Sequence, residues 1–414
     1  MIEEGPPPST EELRAWLRLS HANGVGPVRG RALLRLLGPP EDILAAGPRR
    51  VTEVLGAAGG ARAIFGRDPT RDDRVAAALR WLAPRPAGAS EPARLILTLA
   101  DRRYPARLLD LADPPLVLYC IGDWRWLAQP QIAIVGSRNA SLHGAGTARA
   151  FAAAVATAGW TVTSGLAEGI DQAAHQGALD ARGGSTVAAL GTGIEQVYPT
   201  GALPLAQRIA TRGALISEQP IGMPPLQASF PRRNRLIAAL ARAVLVVEAA
   251  PRSGSLITAR QAADLGREVM AVPGSIHSPL ARGCNDLIRQ GAKLVDSAAD
   301  ILAELPPASR LGLRWPPGSA PMAGSPGLEM TAPAPQPSDG LVAEPGRPTS
   351  VAGLPDDQAR LLAVMSADPV MLETIAQRQR LPLSTALAAL QTLELRGLIQ
   401  RQLDGSYVRC PGIE

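Results

Sequence analysis

The chain has 414 residues, 46% of them hydrophobic, which is enough for two or three domains with substantial cores. It contains no run of about 18 apolar residues, and it begins with Glu3, Glu4 and prolines rather than with a basic and then apolar segment, so neither a membrane span nor a secretory signal is expected. The cysteines, Cys120, Cys284 and Cys410, are too scattered for a disulfide framework or a metal site. These features predict a cytoplasmic protein without a structural metal.

The positive charge of the chain is carried almost entirely by arginine. There are 42 basic and 37 acidic residues, which gives a net charge of +5, and Lys293 is the one lysine. This balance permits an anionic partner without requiring one. A GC-rich genome explains the arginine content by itself, but wherever arginines cluster they supply planar guanidinium groups suited to phosphate.

Residues 1–90 are predicted to form a helical domain. The segment LRAWLRLSHANGVGPVRGRALLRLLG contains two amphipathic helical patterns joined by a Gly-Val-Gly-Pro turn and resembles a helix-hairpin-helix unit. In such a unit, backbone N–H groups at the turn and the positive end of the second helix hold a phosphate. A helical packing module without any ligand fits the same pattern equally well.

Residues 91–304 alternate between short apolar strands and alanine-rich helices, which predicts an α/β domain with a parallel, doubly wound sheet. In such sheets, ligands bind outside the carboxyl ends of the strands. The predicted strands are Leu95–Leu99, Leu116–Cys120, Ile132–Val135, Thr161–Thr163, Thr186–Leu190, Ala214–Ser217, Val244–Val247, Glu268–Val272 and Lys293–Val295.

Small residues follow four of these strands at the start of a helix or turn. Since the carboxyl ends of parallel strands meet at one edge, their N–H and hydroxyl groups are expected to form an anion site there. The residues in question are Gly136, Ser137 and Arg138 after the third strand, Ser164, Gly165 and Gly169 after the fourth, Gly191 after the fifth, and Ser253, Gly254 and Ser255 after the seventh.

The turn after the third strand departs from a dinucleotide-binding fingerprint. The pattern G-x-G-x-x-G would need glycine where the chain has Arg138 and Ser141, and only Gly136 fits. An arginine at position 138 suits an exposed, polymeric phosphate better than a buried pyrophosphate, which requires close approach to bare backbone.

A second candidate element is the segment SFPRRNRLIAAL, at residues 229–240. Three arginines, Arg232, Arg233 and Arg235, lie beside Phe230 and Asn234 at the start of an apolar helix. Guanidinium groups next to an aromatic ring are typical of sites that grip a nucleic-acid backbone while stacking its bases. A solvated helix start with a phenylalanine in the core is the alternative.

The C-terminal part is predicted to be a linker followed by a small domain. Residues 305–354 are rich in Pro, Gly, Ser and Ala, as expected of a linker. Residues 355–414 show three helical patterns and a hairpin with Asp404-Gly405 at its turn, which predicts a winged helix. Its third helix offers only Gln391 and Arg396 as long polar donors, so contact with protein, or weak DNA binding, is favoured over base reading.

These segments resemble the DNA-processing protein A (DprA, or Smf) family over essentially the whole chain. The resemblance implies a sterile-alpha-motif-like helical head, an extended Rossmann-like doubly wound sheet and a winged-helix tail. It is carried by YPARLLDLADPPLVLYCIG (104–122), IAIVGSRNASLHG (132–144), SGLAEGIDQAAHQGAL (164–179), LGTGIEQVYP (190–199), ISEQPIGMPPLQASFPRRNRLIAAL (216–240), VEAAPRSGSLITARQAADLGREVMAVPG (247–274) and GCNDLIRQGAKLV (283–295).

The resemblance also implies a function. Members of the family bind single-stranded DNA, form homodimers, shield incoming strands and help load the RecA recombinase during natural transformation. By motif, the Gly136 to Arg138 turn would hold a phosphate, the three arginines at 232, 233 and 235 would extend an electropositive groove, and Phe230 would lie against a base. Leu287, Ile288 and Leu294 fall in the segment that resembles the family's dimer surface. No cofactor is implied.

Two enzymatic alternatives are considered. A nucleotide phosphoribohydrolase of the lysine-decarboxylase-like group needs a carboxylate just after its glycine loop, but Ser255 is followed by Ile257, Thr258 and Ala259. A nicotinamide-dependent oxidoreductase is opposed by the incomplete fingerprint. No two histidines have metal-binding i, i+4 spacing. Asp171 starts a helix directly after Gly169-Ile170 and is therefore interpreted as a helix-start and packing residue. The protein is interpreted as a binding module rather than an enzyme.

Overall fold

The structure is a computed structural model. Among the residues it describes, no helix is long and apolar enough to cross a membrane. The described residues are 8–56, 58–83, 92–306, 355, 358–359, 361–362, 370, 372–379, 381–396, 398–401 and 406–409.

In the described residues of the N-terminal part there are five helices: α1 (Thr10–Ser20), α2 (Gly26–Leu37), α3 (Pro40–Leu55), α4 (Ala58–Phe65) and α5 (Pro69–Leu82). The first begins after Ser9, whose hydroxyl accepts a hydrogen bond from the Glu12 backbone N–H at 3.1 Å. The apolar faces of these helices share one hydrophobic core with a face of the sheet, where Trp16 and Leu33 belong to the same cluster as Tyr119. The helical part is thereby fixed against the sheet.

Nine strands form one sheet, in the order β1-β2-β6-β5-β4-β3-β7-β8-β9. This confirms the nine predicted strands. Their bounds are β1 Arg94–Thr98, β2 Val117–Gly122, β3 Gln131–Val135, β4 Thr161–Ser164, β5 Thr186–Ala189, β6 Ala214–Ser217, β7 Ala243–Val246, β8 Glu268–Ala271 and β9 Lys293–Leu294.

The sheet is parallel and doubly wound as predicted, except at one side. Strand β2 pairs antiparallel with both β1 and β6, whereas the other neighbours are parallel. A parallel β1-β2 pair would need a crossover connection, usually a helix. The connection between these strands contains only the short 3-10 helix Ala106–Asp110, and the chain returns beside the strand it has just left.

Helices cover both faces of the sheet: α6 (Leu142–Thr157), α7 (Ile170–Asp180), α8 (Leu203–Arg212), α9 (Ser229–Leu240), α10 (Gly254–Asp264), α11 (Arg282–Arg289) and α12 (Ala298–Glu304). Starting from β3, the strands β4, β5 and β6 lie in turn on one side of it in the sheet, and β7, β8 and β9 lie in turn on its other side. The order therefore reverses between β3 and β7, which makes their carboxyl ends the topological switch point.

The C-terminal unit contains α13 (Leu372–Gln379), α14 (Leu383–Leu395), β10 (Ile399–Arg401) and β11 (Tyr407–Arg409). The two strands pair antiparallel, as predicted for a wing. Buried Leu390 and Leu393 pack with Tyr407 in a separate small core. Most of the first predicted helix, the Asp404-Gly405 turn and residues 307–354 of the predicted linker lie outside the described residues.

Candidate nucleic-acid interface

An open cavity of about 480 Å³ lies at the switch point. The turn after β3 forms one wall with Ser137 and Arg138, and the turn after β7 forms another with Arg252 and Ser253. The first turn of α9, including Phe230, closes the third side. Ala167, in the turn after β4, also lines the cavity. The structure thus brings together three of the four turns that the sequence singled out, together with the aromatic and basic segment.

Arg138 is an exposed cation at this cavity. Its guanidinium carbon lies 5.6 Å from the centre of the Phe230 ring, within the range of a cation–π contact. The Phe230 ring is also 5.5 Å from the Tyr198 ring, with 43° between the ring planes. The Tyr198 side chain is 48% exposed. A positive group and two aromatic rings therefore lie together at the edge of the sheet.

Two glycines allow the turn after β3 to approach its neighbours. A Cβ atom at Gly136 would lie 2.6 Å from Ile170 Cγ1 and 2.9 Å from the Glu248 carbonyl oxygen, so no side chain fits there. Gly169 has φ +76, and a Cβ on it would overlap the Ser137 carbonyl oxygen. That oxygen accepts a hydrogen bond of 3.2 Å from the Ile170 N–H. The start of α7 therefore supports the turn that carries Arg138.

The turn after β4 does not form the open anion site that was predicted. The Ser164 hydroxyl is buried and donates to the Ile134 carbonyl oxygen at 2.7 Å. The Gly165 and Ala167 N–H groups donate to Asp171 Oδ2 at 3.1 and 3.3 Å. Because their hydrogen bonds are made inside the protein, these groups are not available to a phosphate, and Asp171 has the helix-start role that its position indicated.

Arg233 is part of the framework rather than of an open groove. It is 4% exposed, and its guanidinium donates to the Gly165 carbonyl oxygen at 2.6 Å and to the Ala189 carbonyl oxygen. Burial lowers its pKa to about 10, an effect that Asp171 opposes and Arg138 reinforces. The side chain therefore remains charged at neutral pH and joins the ends of β4 and β5 to α9.

Arg235 is also buried, at 7% exposure. It forms ion pairs with Glu218 and, at 3.3 Å from its Nε, with Asp113. Arg232, by contrast, has a side chain that is 53% exposed and lies 3.6 Å from Glu218. The structure thus corrects the prediction that all three arginines extend a groove, since the helix directs only Arg232 to solvent.

The remaining predicted residues shape the cavity. Gly191 is buried beneath Phe230, because a Cβ at this glycine would lie 2.8 Å from Phe230 Cδ1. Asn234 Nδ2 donates to the Gly254 carbonyl oxygen at 3.2 Å and so ties α9 to α10. Ser253 caps α10 by accepting a hydrogen bond of 3.3 Å from the Ser255 N–H. Among Gly191, Asn234, Ser253, Gly254 and Ser255, the exposed residue is Gly254.

Sequence reasoning missed two residues of the site, Tyr198 and Arg252. Tyr198 follows β5 at a distance along the chain, and only the fold brings it to Phe230. Arg252 is exposed and lines the cavity directly before Ser253. A basic residue adjoining a predicted anion-binding turn was the available signal for Arg252.

The three predicted dimer residues differ in exposure. Leu287 is buried and belongs to the core under the sheet, and Ile288 packs partly against the same core. Leu294 is 43% exposed and lies on the edge strand β9. The structure therefore corrects the prediction for Leu287, which faces the core because the amphipathic helix α11 directs it there.

The described residues contain no group of three or more His, Cys, Asp or Glu side chains placed to hold a metal. His175, four residues after Asp171, is fully buried, and its Nδ1 lies 2.7 Å from the Thr186 hydroxyl. Burial lowers its pKa to about 3. The residue is thus neutral at physiological pH and is part of the packing under α7.

Comparison with known proteins identifies the family of the chain. The family model for DNA recombination-mediator protein A matches residues 95–306, just over half of the chain, and the model for the DprA winged helix domain matches residues 332–405. Protein Smf of Escherichia coli is 38% identical over 336 residues, covering 81% of this chain and 80% of that protein. DNA processing protein DprA of Streptococcus pneumoniae is 44% identical over 207 residues, covering 50% of this chain and 73% of that protein.

A solved structure supports the same assignment. The X-ray structure of DNA processing protein A from Streptococcus pneumoniae matches with a TM-score of 0.61 and 34% identity, covering 73% of this chain and 99% of that chain. The sheet, the switch-point cavity and both family matches lead to one conclusion: the chain belongs to the DprA/Smf family of DNA-processing proteins.

Proposed function

We propose that the switch-point cavity binds single-stranded DNA, with the Arg138 guanidinium on a backbone phosphate and the rings of Phe230 and Tyr198 against bases. The observation that carries this proposal is the exposed Arg138 lying over Phe230 at the mouth of the cavity. Arg252 supplies a second exposed cation on the facing wall. Phosphate contacts position a strand without reading its sequence, so the contacts of Arg138 and Arg252 add little dependence on base sequence.

The aromatic pair favours a single strand over a duplex. In a duplex the faces of the bases are stacked on their neighbours, whereas an unpaired strand presents them to aromatic side chains. Stacking of this kind tolerates every base and contributes about 1–3 kcal/mol per base. The Tyr198 and Phe230 rings lie 5.5 Å apart, so they act as one surface.

We further propose that the chain acts as a homodimer that protects incoming single-stranded DNA and delivers it to the RecA recombinase in natural transformation. The matched family is described as a recombination mediator, and the relatives are named DNA processing proteins; both descriptions fit this role. Of the three predicted dimer contacts, Leu294 on edge strand β9 is the most exposed. Leu294→Arg is expected to give a folded monomer by light scattering; a variant that stays dimeric would place the contact elsewhere.

The site is proposed to bind rather than to turn over its ligand. The turn that opens α10 is followed by Ile257, Thr258 and Ala259, so the carboxylate that a phosphoribohydrolase needs after its glycine loop is missing. The family matches do not favour that alternative. Incubation with nucleoside monophosphates is expected to release no free base.

Titration of the purified protein with single-stranded and double-stranded oligonucleotides at several salt concentrations tests the proposal. The single strand is expected to bind more tightly at every salt concentration, and the logarithm of affinity is expected to fall linearly with the logarithm of salt, because bound phosphates release counterions. Equal affinity for both forms at matched salt would contradict the proposal.

A further inference from the structure

A second cavity, of about 210 Å³, lies where the N-terminal helices meet the sheet. Its walls are the hairpin between α1 and α2, the entry into β2 and the segment after β6. The first turn of α9 contributes to both cavities: Pro231 and Arg233 line the switch-point cavity, and Arg232 lines the second one. The two cavities are therefore neighbours that share one helical turn.

Glu218 provides an unused hydrogen-bond acceptor in this cavity. Its side chain is 6% exposed, and its Oε2 forms an ion pair with Arg235. Its Oε1 has no hydrogen-bond partner, although Arg232 Nε lies 3.6 Å away. Burial raises the pKa of this carboxyl, and the charges of Arg235 and Arg232 oppose that effect. In its ionised form the carboxylate only accepts hydrogen bonds, and a buried acceptor without a donor is costly. A ligand that presents an N–H donor would remove that cost.

His21 provides a second unpaired polar atom in the same cavity. Its Nε2 lies 3.2 Å from the Tyr119 hydroxyl, while its buried Nδ1 has no partner. Burial lowers the pKa of His21 to about 4, so the ring is neutral at physiological pH. A neutral imidazole either donates or accepts at this nitrogen, depending on its tautomer. His21 thus adds a polar group to the cavity but no positive charge.

The size and surroundings of the cavity fit one nucleotide. The space is less than half the volume of the switch-point cavity, which suits a single ring system rather than a large ligand. Pro27, Pro115 and Pro220 supply apolar walls. Beside them, α2 begins without a side-chain cap, and Gly24 and Gly26 face open space. Pro27 has no N–H, and the other N–H groups at the start of this helix have no side-chain cap, as at helix N-termini that bind phosphate.

We propose that the second cavity holds one nucleobase of the strand bound at the switch point, with Glu218 accepting a hydrogen bond from an exocyclic amino group. The inference rests on the proposed binding of single-stranded DNA. Cytosine presents an amino donor at the position where thymine presents a carbonyl oxygen. The thymine oxygen would face the carboxylate and repel it, so the cavity discriminates between two bases of the same size.

The test compares oligomers of deoxycytidine and thymidine of equal length at one salt concentration and slightly alkaline pH. The wild-type protein is expected to bind the deoxycytidine oligomer about 3- to 10-fold more tightly, as for one net hydrogen bond. In Glu218→Gln, the amide oxygen keeps the contact with Arg235 and the amide nitrogen becomes a donor toward the base. The preference is then expected to disappear or to invert in favour of thymidine.

Two further variants complete the design. Glu268→Gln is the matched control, an acid-to-amide change at an exposed position where β8 begins, and it is expected to keep the wild-type preference. Ser20→Phe fills the cavity from the end of α1 without altering the ion pairs of Glu218, and it is expected to bring the two affinities together. If Glu218→Gln fails to fold, Ser20→Phe alone tests whether the cavity holds a nucleobase.

The outcomes separate this inference from the proposed function. Equal affinity of the wild-type protein for both oligomers, or a preference that survives both Glu218→Gln and Ser20→Phe, would overturn the nucleobase site while leaving single-strand binding intact. Failure of the wild-type protein to bind either oligomer would overturn the proposed function itself.

Discussion

The turn after β3 and the turn after β4 lie side by side at the same edge of the sheet, but their polar groups have different partners. Asp171 accepts the Gly165 and Ala167 N–H groups of the second turn, and Arg233 donates to the Gly165 carbonyl oxygen. In the first turn, the Arg138 side chain projects over Phe230 toward solvent. Glycine and serine after a strand therefore indicate a turn, and the partners of its N–H groups decide whether a ligand binds there.

The largest expected effect follows from a substitution in the turn after β4, whose N–H groups are bonded to Asp171. Asp171→Ala removes the acceptor for two N–H groups and leaves the charge of Arg233 buried beside them. The free energy of unfolding is expected to fall by about 3–5 kcal/mol, as when one partner of a buried charge is removed, and chemical denaturation measures it. Glu168→Ala, at an exposed position in the same turn, is the control and should change stability by less than about 0.5 kcal/mol. Equal effects of the two variants would contradict the closed-turn account.

Low pH is expected to lower the stability of the protein through His175, which lies on α7 after the same turn. The folded pKa of His175 on α7 is lowered to about 3, below the value near 6.5 of an unfolded chain. The unfolded state therefore binds the proton first, and stability falls as the pH drops below about 6.5. Between about pH 6.5 and pH 3, each pH unit removes about 1.4 kcal/mol of the free energy of unfolding through this one histidine. Denaturation of the wild-type protein and of His175→Gln at several pH values tests this, and identical pH slopes for the two would count against it.

The sequence predicted most of the fold, because each buried strand is a short apolar run bounded by turn residues. It did not predict the antiparallel β2, because only the structure shows that the connection from β1 holds one short 3-10 helix and no crossover helix. The arginines of α9 were predicted as one cluster, but residues 232, 233 and 235 point in different directions on a helix, and burial separates them. Tyr198 required the tertiary fold, because nothing in its local sequence indicates Phe230 as a neighbour.

A smaller effect is expected from the aromatic part of the open site. Phe230→Ala removes the ring that lies under Arg138 and beside Tyr198. Affinity for single-stranded DNA is expected to fall by about 1–3 kcal/mol with little change in the dependence on salt, because stacking releases no counterion. Fluorescence titration at several salt concentrations measures both quantities. A clear change of salt slope would instead show that the ring acts by positioning Arg138.

The salt dependence of single-strand binding by Arg138→Ala tests the central claim most directly. If the exposed arginine of the open turn holds one backbone phosphate, the slope of log affinity against log salt should become shallower by about 0.7, and affinity should fall alike for every base sequence. Arg182→Ala, at an exposed position after α7 and before β5, should leave the slope unchanged. Unchanged affinity and slope in a normally melting Arg138→Ala protein would contradict the account.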